Sequence, residues 1–136
     1  MALSKDKGTL QKGGHLVVLA LAAGAIIHGG AIVVVDSGYA NKATTKTGLK
    51  FAGIAEEAVD NTDGGNGAKS VEVRRERLFF AKNSLSDPIA QVDLFNQCYL
   101  EDDETVAKTN GGNTRSLAGR IMQIDSNGIW VEGELA

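Results

Sequence analysis

The stretch from Ala23 to Ala40 limits this chain more than any other, because two apolar runs are pinned there between glycines. Ile32, Val33, Val34 and Val35 are β-branched, so they lose χ1 freedom in a helix and sit well on a pleated surface. Gly29-Gly30 just before them would each cost a helix interior about 1 kcal/mol. Ile32 and Val34 fall on one face of such a strand, and Ala31, Val33 and Val35 on the other. Both faces are apolar, so the strand must be covered on both sides, by its own fold or by another subunit.

The chain as a whole fits that start. With 136 residues it is long enough for one ordinary core, and its 17 glycines against a single proline suit many short strands joined by glycine turns. Aromatics make up only 5% of the residues, which favours closely packed sheets over a large ligand cavity. The expectation is an all-β fold with one short helix, a small β-barrel or β-tulip-like domain spanning residues 15–136. Residues 1–14 are polar, glycine-punctuated and without periodicity, and read as an extended N-terminal arm.

Further strands are expected at Leu16–Leu21, Ala25–His28, Tyr39–Ala43 and Leu49–Val59. Val71–Phe80 reads as one alternating strand, each face carrying apolar ends and a charged middle. Ser86-Asp87-Pro88 resembles a helix start, with Ile89, Val92 and Phe95 on one side of a two-turn helix. Two hairpins follow: Gln97–Leu100 with Thr105–Lys108 around Asp102-Asp103, and Leu117–Ile124 with Ile129–Glu132 around Asp125-Ser126-Asn127-Gly128. Asn-Gly suits the positive φ values of a tight turn.

Lys5, Lys7 and Lys12 ahead of Leu16–Ala23 imitate a secretory signal. Asp6 and Gly13-Gly14-His15 interrupt that pattern, and Ile26-Ile27 carry the apolar sequence onward, so the segment is expected to belong to the folded core. Its apolar run is well short of the ~20 residues that cross a bilayer, and no membrane partner is expected. The net charge of −3 supplies no basic surface for neutralising phosphates, which argues against direct nucleic-acid binding.

Catalytic and metal-binding patterns are weak. His15 and His28 are the only histidines, and with Cys98 they offer no ligand spacing for zinc. No Gly-x-Ser-x-Gly elbow occurs, and Cys98 lies in an expected strand as a small buried hydrophobe. Asp60–Gly67 fits neither a phosphate loop nor an EF-hand and reads as a connecting loop. Neither an enzyme nor a cofactor is expected. Arg74, Arg75 and Arg77 remain: they either pair across strands with acids such as Glu72 and Glu76, or dock onto an acidic protein surface.

The order of segments is informative. AAGAIIHGGAIVVVDSGYANKA, then GIAEEAVDN with its glycine loop, then VEVRRE, CYLEDDETVAKT and AGRIMQIDSNGIWVEGE, resembles the capsid decoration or cement proteins of tailed bacteriophages. The resemblance runs from Leu16 onward, with Glu76 where glycine usually follows the basic strand residues. It implies a β-rich domain, commonly a homotrimer, that binds the outer surface of the virion and bridges major capsid protein subunits, after assembly in the bacterial host cytoplasm. It further implies that residues 3–14 lie along a capsid or neighbouring decoration subunit, Leu3 and Leu10 anchoring and Lys5, Lys7 and Lys12 meeting acidic surface. Another virion role, in head completion or the tail, and a small non-viral β-barrel carrier or accessory domain stay open as alternatives.

Overall fold

The structure is a computed structural model that describes residues 16–134; the N-terminal arm with Leu3, Lys5, Lys7, Leu10 and Lys12, and also His15, lie outside the described residues. Twelve strands run in chain order: β1 (Leu16–Ala20), β2 (Ile26–Ile27), β3 (Ile32–Asp36), β4 (Tyr39–Lys42), β5 (Lys50–Ala55), β6 (Val59–Asp60), β7 (Ser70–Arg74), β8 (Leu78–Asn83), β9 (Gln97–Leu100), β10 (Thr105–Ala107), β11 (Leu117–Asp125) and β12 (Gly128–Gly133). The fold is all-β. β8–β12 close into a five-stranded barrel in the order β10-β8-β12-β11-β9, with β10 and β8 parallel. The other large sheet runs β1-β7-β5-β3-β4 and stays open, curling enough that Leu21, just past β1, forms a single isolated bridge with Ala40 of β4. β2 and β6 form a short separate pair.

β3 is covered on both faces by its own chain. Ile32 and Val34 join the barrel core, with Phe79, Leu100, Val106, Ile121 and Ile129. Ala31 and Val33 point the other way into a second core, with Leu21, Ile27, Ala40, Val71 and Val73, and Val35 packs against it. The described residues thus form two hydrophobic cores, and β3 carries alternate side chains to each. Ile32, Val33 and Val34 are almost fully buried, and burial of each is worth roughly 1.5–3 kcal/mol. The β3–β4 turn at Ser37-Gly38 has positive φ at both residues, 53° and 90°, as a two-residue hairpin of matching twist requires.

β5 shows why the Leu49–Val59 alternation is imperfect. A bulge between Phe51 and Gly53 breaks the register with β3. Phe51 therefore faces the barrel core while Ala52 and Ala55 face the second core. The strand also ends at Ala55, and β6 is a separate short element.

Three further expectations are corrected. Val71–Phe80 is not one strand: β7 ends at Arg74 in the open sheet and β8 starts at Leu78 in the barrel, so Val71 and Val73 fill one core and Phe79 the other. The helix after Ser86 is a single 3-10 turn, Gln91–Asp93. Only Ile89 of its expected apolar side is buried, whereas Val92 and Phe95 are exposed. The Ser84 hydroxyl accepts the Asp87 N–H at 3.0 Å and Asn83 ties down both polar groups of Ile89, so side chains take the bonds that helical turns would have made. The third correction concerns the last hairpin, which forms as expected, but its two loop residues are Ser126 and Asn127, neither with positive φ, and of the expected Asn-Gly pair only Gly128 has one, at 158°. There Asp125 Oδ1 accepts the N–H groups of Asn127 and Gly128, at 2.7 and 3.1 Å.

A charge on either face of β3 should be equally damaging. Val33→Asp and Val34→Asp each bury an unpaired carboxylate at a cost of several kcal/mol, comparable to the stability of a whole domain. Urea denaturation should find neither variant cooperatively folded; if Val33→Asp kept a wild-type transition, the second core would be wrongly placed.

Candidate functional site

The crossing from β7 to β8 creates the most distinctive surface. Inside the barrel, Phe79 and Ala81 take the inward positions of β8, which leaves Leu78 and Phe80 pointing out at 44% and 42% exposure. Trp130 of β12 sits directly opposite Phe80 in the antiparallel register, and the two rings meet edge to face at 5.4 Å. Below them Phe51 of the open sheet stacks on Phe79 at 4.8 Å. Phe51 comes this close because Gly133 has no side chain; a Cβ there would stand 2.4 Å from the ring. The result is a cleft of about 260 Å³ along the seam between sheet and barrel, floored by Phe51, Ile54, Phe79, Phe80 and Trp130 and edged by Gly30, Arg74, Glu76 and Leu78.

The arginine cluster lies on this seam, largely compensated. Arg74 Nη1 is 2.8 Å from Glu56 Oε1 and its Nε 3.3 Å from Glu76 Oε2. Arg77 Nε is 2.5 Å from Glu132 Oε2. Arg75 donates from Nε to the carbonyl of Ala52, within the β5 bulge, at 2.8 Å. Of the acids expected as cross-strand partners, Glu76 pairs with Arg74 from two residues further along the same segment, while the long-range partners are Glu56 and Glu132, which lie 18 and 55 residues from their arginines and could not be found by local spacing. Arg77 keeps 82% of its side chain exposed, so its pair contributes about 1 kcal/mol at most and leaves the guanidinium open to a partner. Sequence reasoning missed the aromatic half of the site, since Phe80 and Trp130 are 50 residues apart and only the barrel register joins them.

Other candidate groups are occupied structurally. Asp60 accepts both the N–H and the hydroxyl of Thr62, and buried Asn61 donates to Ala22 and Gly65 carbonyls, at 2.8 and 3.2 Å, so the glycine loop is held by its own side chains. Arg115, mostly buried, joins Asp87 at 2.8 Å and Glu101 at 3.5 Å. Asp87 is held below the usual carboxylate range, chiefly by the Thr109 hydroxyl. His28 is exposed beside Asp103 and Glu104. Among the described residues no group of three His, Cys, Asp or Glu is placed to hold a metal ion. Comparison of the chain with protein-family models, with curated proteins and with solved structures found no significant match.

Cys98 is fully buried in the barrel core, and burial pushes its thiol up to about 12. The thiol is therefore protonated at neutral pH and should resist alkylation until the protein unfolds. Because the folded value exceeds the ordinary 9.0, the unfolded chain loses this proton first. The associated stability is complete below about pH 9 and is lost as pH rises toward about 12, with a slope of up to about 1.4 kcal/mol per pH unit. Denaturant titrations across this range should show a shallower alkaline loss for Cys98→Ala than for the wild type.

Proposed function

We propose that this chain is a structural virion protein, a decoration or cement protein that binds the outer surface of a tailed-phage capsid and bridges adjacent major capsid protein subunits. The observation that carries the reading is the ordered run of segments from Leu16 onward that resembles such proteins. The seam supports it: exposed Leu78 and Phe80 and half-buried Trp130 share their cleft with Arg74, and exposed Arg77 precedes Leu78 in the chain, an aromatic and arginine composition typical of protein-binding surfaces. In this reading the chain acts by binding alone. It forms a homotrimer, docks through the residue 1–14 arm and the Arg74, Arg75 and Arg77 seam, and opposes shell rupture because each copy ties neighbouring subunits together. Interfaces on the order of 1,000–2,000 Å², repeated over the shell, make that bridging additive. Its place is the virion exterior, with assembly in the host cytoplasm.

Purified protein should co-sediment stoichiometrically with mature, expanded capsids. Arg77→Glu and Phe80→Asp should each weaken that association at least tenfold, and deletion of residues 1–14 should weaken it too. Absence of binding to capsids in every maturation state would overturn the proposal, and a stable dimer in analytical ultracentrifugation would overturn the trimeric geometry.

A further inference from the structure

We infer that copies of this chain associate head to tail, with the Phe95 side chain of one copy seated in the hollow beside Gly29-Gly30 of the next. The backbone at Phe95 is unusual for its side chain: φ is 69°, a left-handed conformation that a bulky residue adopts only where its surroundings impose it. They do so here. The Phe95 N–H donates to the Ile121 carbonyl at 2.8 Å, and the Phe95 carbonyl accepts from Arg120 Nη1 at 2.7 Å. Asn96 is fastened too, its N–H donating to the Asp93 carbonyl and its carbonyl accepting from Ile121, each at 2.9 Å. The ring held in this way is nevertheless 54% exposed. Four hydrogen bonds and a strained residue thus fix an aromatic side chain in solvent, as a preformed knob for another molecule requires.

A matching hole lies at the other end of β9. His28, Gly29, Gly30, Ala31, Asp103 and Glu104 line a hollow of about 220 Å³. Its glycine wall is bare backbone, and a Cβ on Gly30 would meet nothing within 4 Å. Phe95 precedes the first residue of β9 and Asp103 follows its last, so the knob does not fill the hollow of its own chain. The charges match as the shapes do. Lys108 and Arg120 share one open surface with Phe95 and Tyr99, whereas Asp103 and Glu104 edge the hole. Lys108 is 3.9 Å from Asp93, and the exposed Glu104 is 3.4 Å from exposed Lys82, so both lysine pairs are weak enough to exchange. Glu132, opposite Arg120 in the β11–β12 register, closes on Arg77 instead. Knob and hole are different surfaces, so each copy offers one of each, and successive copies close into a ring where the rotation allows. The contact deepens the proposed function and rests on the self-association in that reading, not on the capsid.

Sedimentation velocity of the full-length protein over a range of concentrations reads this contact directly. The wild type should associate reversibly. Phe95→Gly, which suits the left-handed backbone, should keep the wild-type dichroism spectrum and melting temperature while weakening association at least tenfold. Lys108→Glu/Arg120→Glu and Asp103→Lys/Glu104→Lys should each sediment as folded monomers, with Glu104→Lys alone replacing the second if the double variant does not fold. Mixed in equal amounts, the two charge variants should associate again, because each then offers the sign that the other's altered surface requires. A wild type that stays monomeric at millimolar concentration, a Phe95→Gly variant that associates as the wild type does, or a mixture that stays monomeric would each overturn the inference. Capsid binding is read separately, by co-sedimentation of the wild type, so either proposal can fail without the other.

Discussion

The division of β3 between two hydrophobic cores is the constraint on which the rest of the molecule depends. A strand with Val33 on one side and Ile32 and Val34 on the other is stable only when two layers of apolar side chains enclose it. The open sheet curls to make one layer and the barrel supplies the other. The bulge in β5 answers the same demand, by turning Phe51 to the barrel while Ala52 and Ala55 stay with the sheet. Hydrogen bonds across the seam hold the two bodies in register. Ile32 donates its N–H to the Asp103 carbonyl at 2.7 Å, and buried Ser116 accepts from Leu49 and donates to the Lys46 carbonyl, at 2.9 and 2.6 Å.

The seam also explains why the exposed aromatics lie where they do. A barrel strand presents every second side chain to its outside, and β8 and β12 have Leu78, Phe80 and Trp130 at those positions. Where the sheet packs against the barrel, part of this outer face is covered, and the remainder becomes the wall of a cleft. The arginines that connect the two bodies serve the crossing itself, Arg75 satisfying a carbonyl within the bulge and Arg74 and Arg77 each closing on glutamates from other elements. Their charge is largely balanced at home, so the binding potential of this surface rests on its apolar cleft and on exposed Arg77 more than on a basic field.

Local chemistry was legible wherever it was decided by nearby residues. The two-sided apolar character of β3, the hairpins β9–β10 and β11–β12, and the buried state of Cys98 all follow from alternation and turn residues within about ten positions. The break between Arg74 and Leu78 was not legible, because alternation continues through it: Val71, Val73 and Phe79 keep one parity while serving different cores. The helix expected after Ser86 failed for a related reason. Asp87, expected in its first turn, instead accepts from Thr109 and Arg115, local bonds to Ser84, Asn83 and Asp93 take up the N–H groups of Asp87, Ile89 and Ala90, and Ile89 alone joins the barrel core.

By itself, then, the sequence determined that this chain is all-β, that one strand must be buried on both faces, and that its cysteine is a packing residue. Those properties depend on side-chain branching, period-two patterning and glycine placement, which act over short distances. Tertiary structure alone decided that there are two cores, that the strand feeding one leads directly into the other, and that Phe51, Phe80 and Trp130 share a cleft beside Arg74 and Arg77. These depend on which strands pair. Pairing is settled by the simultaneous burial of residues 30 to 80 positions apart, and no local pattern carries that information.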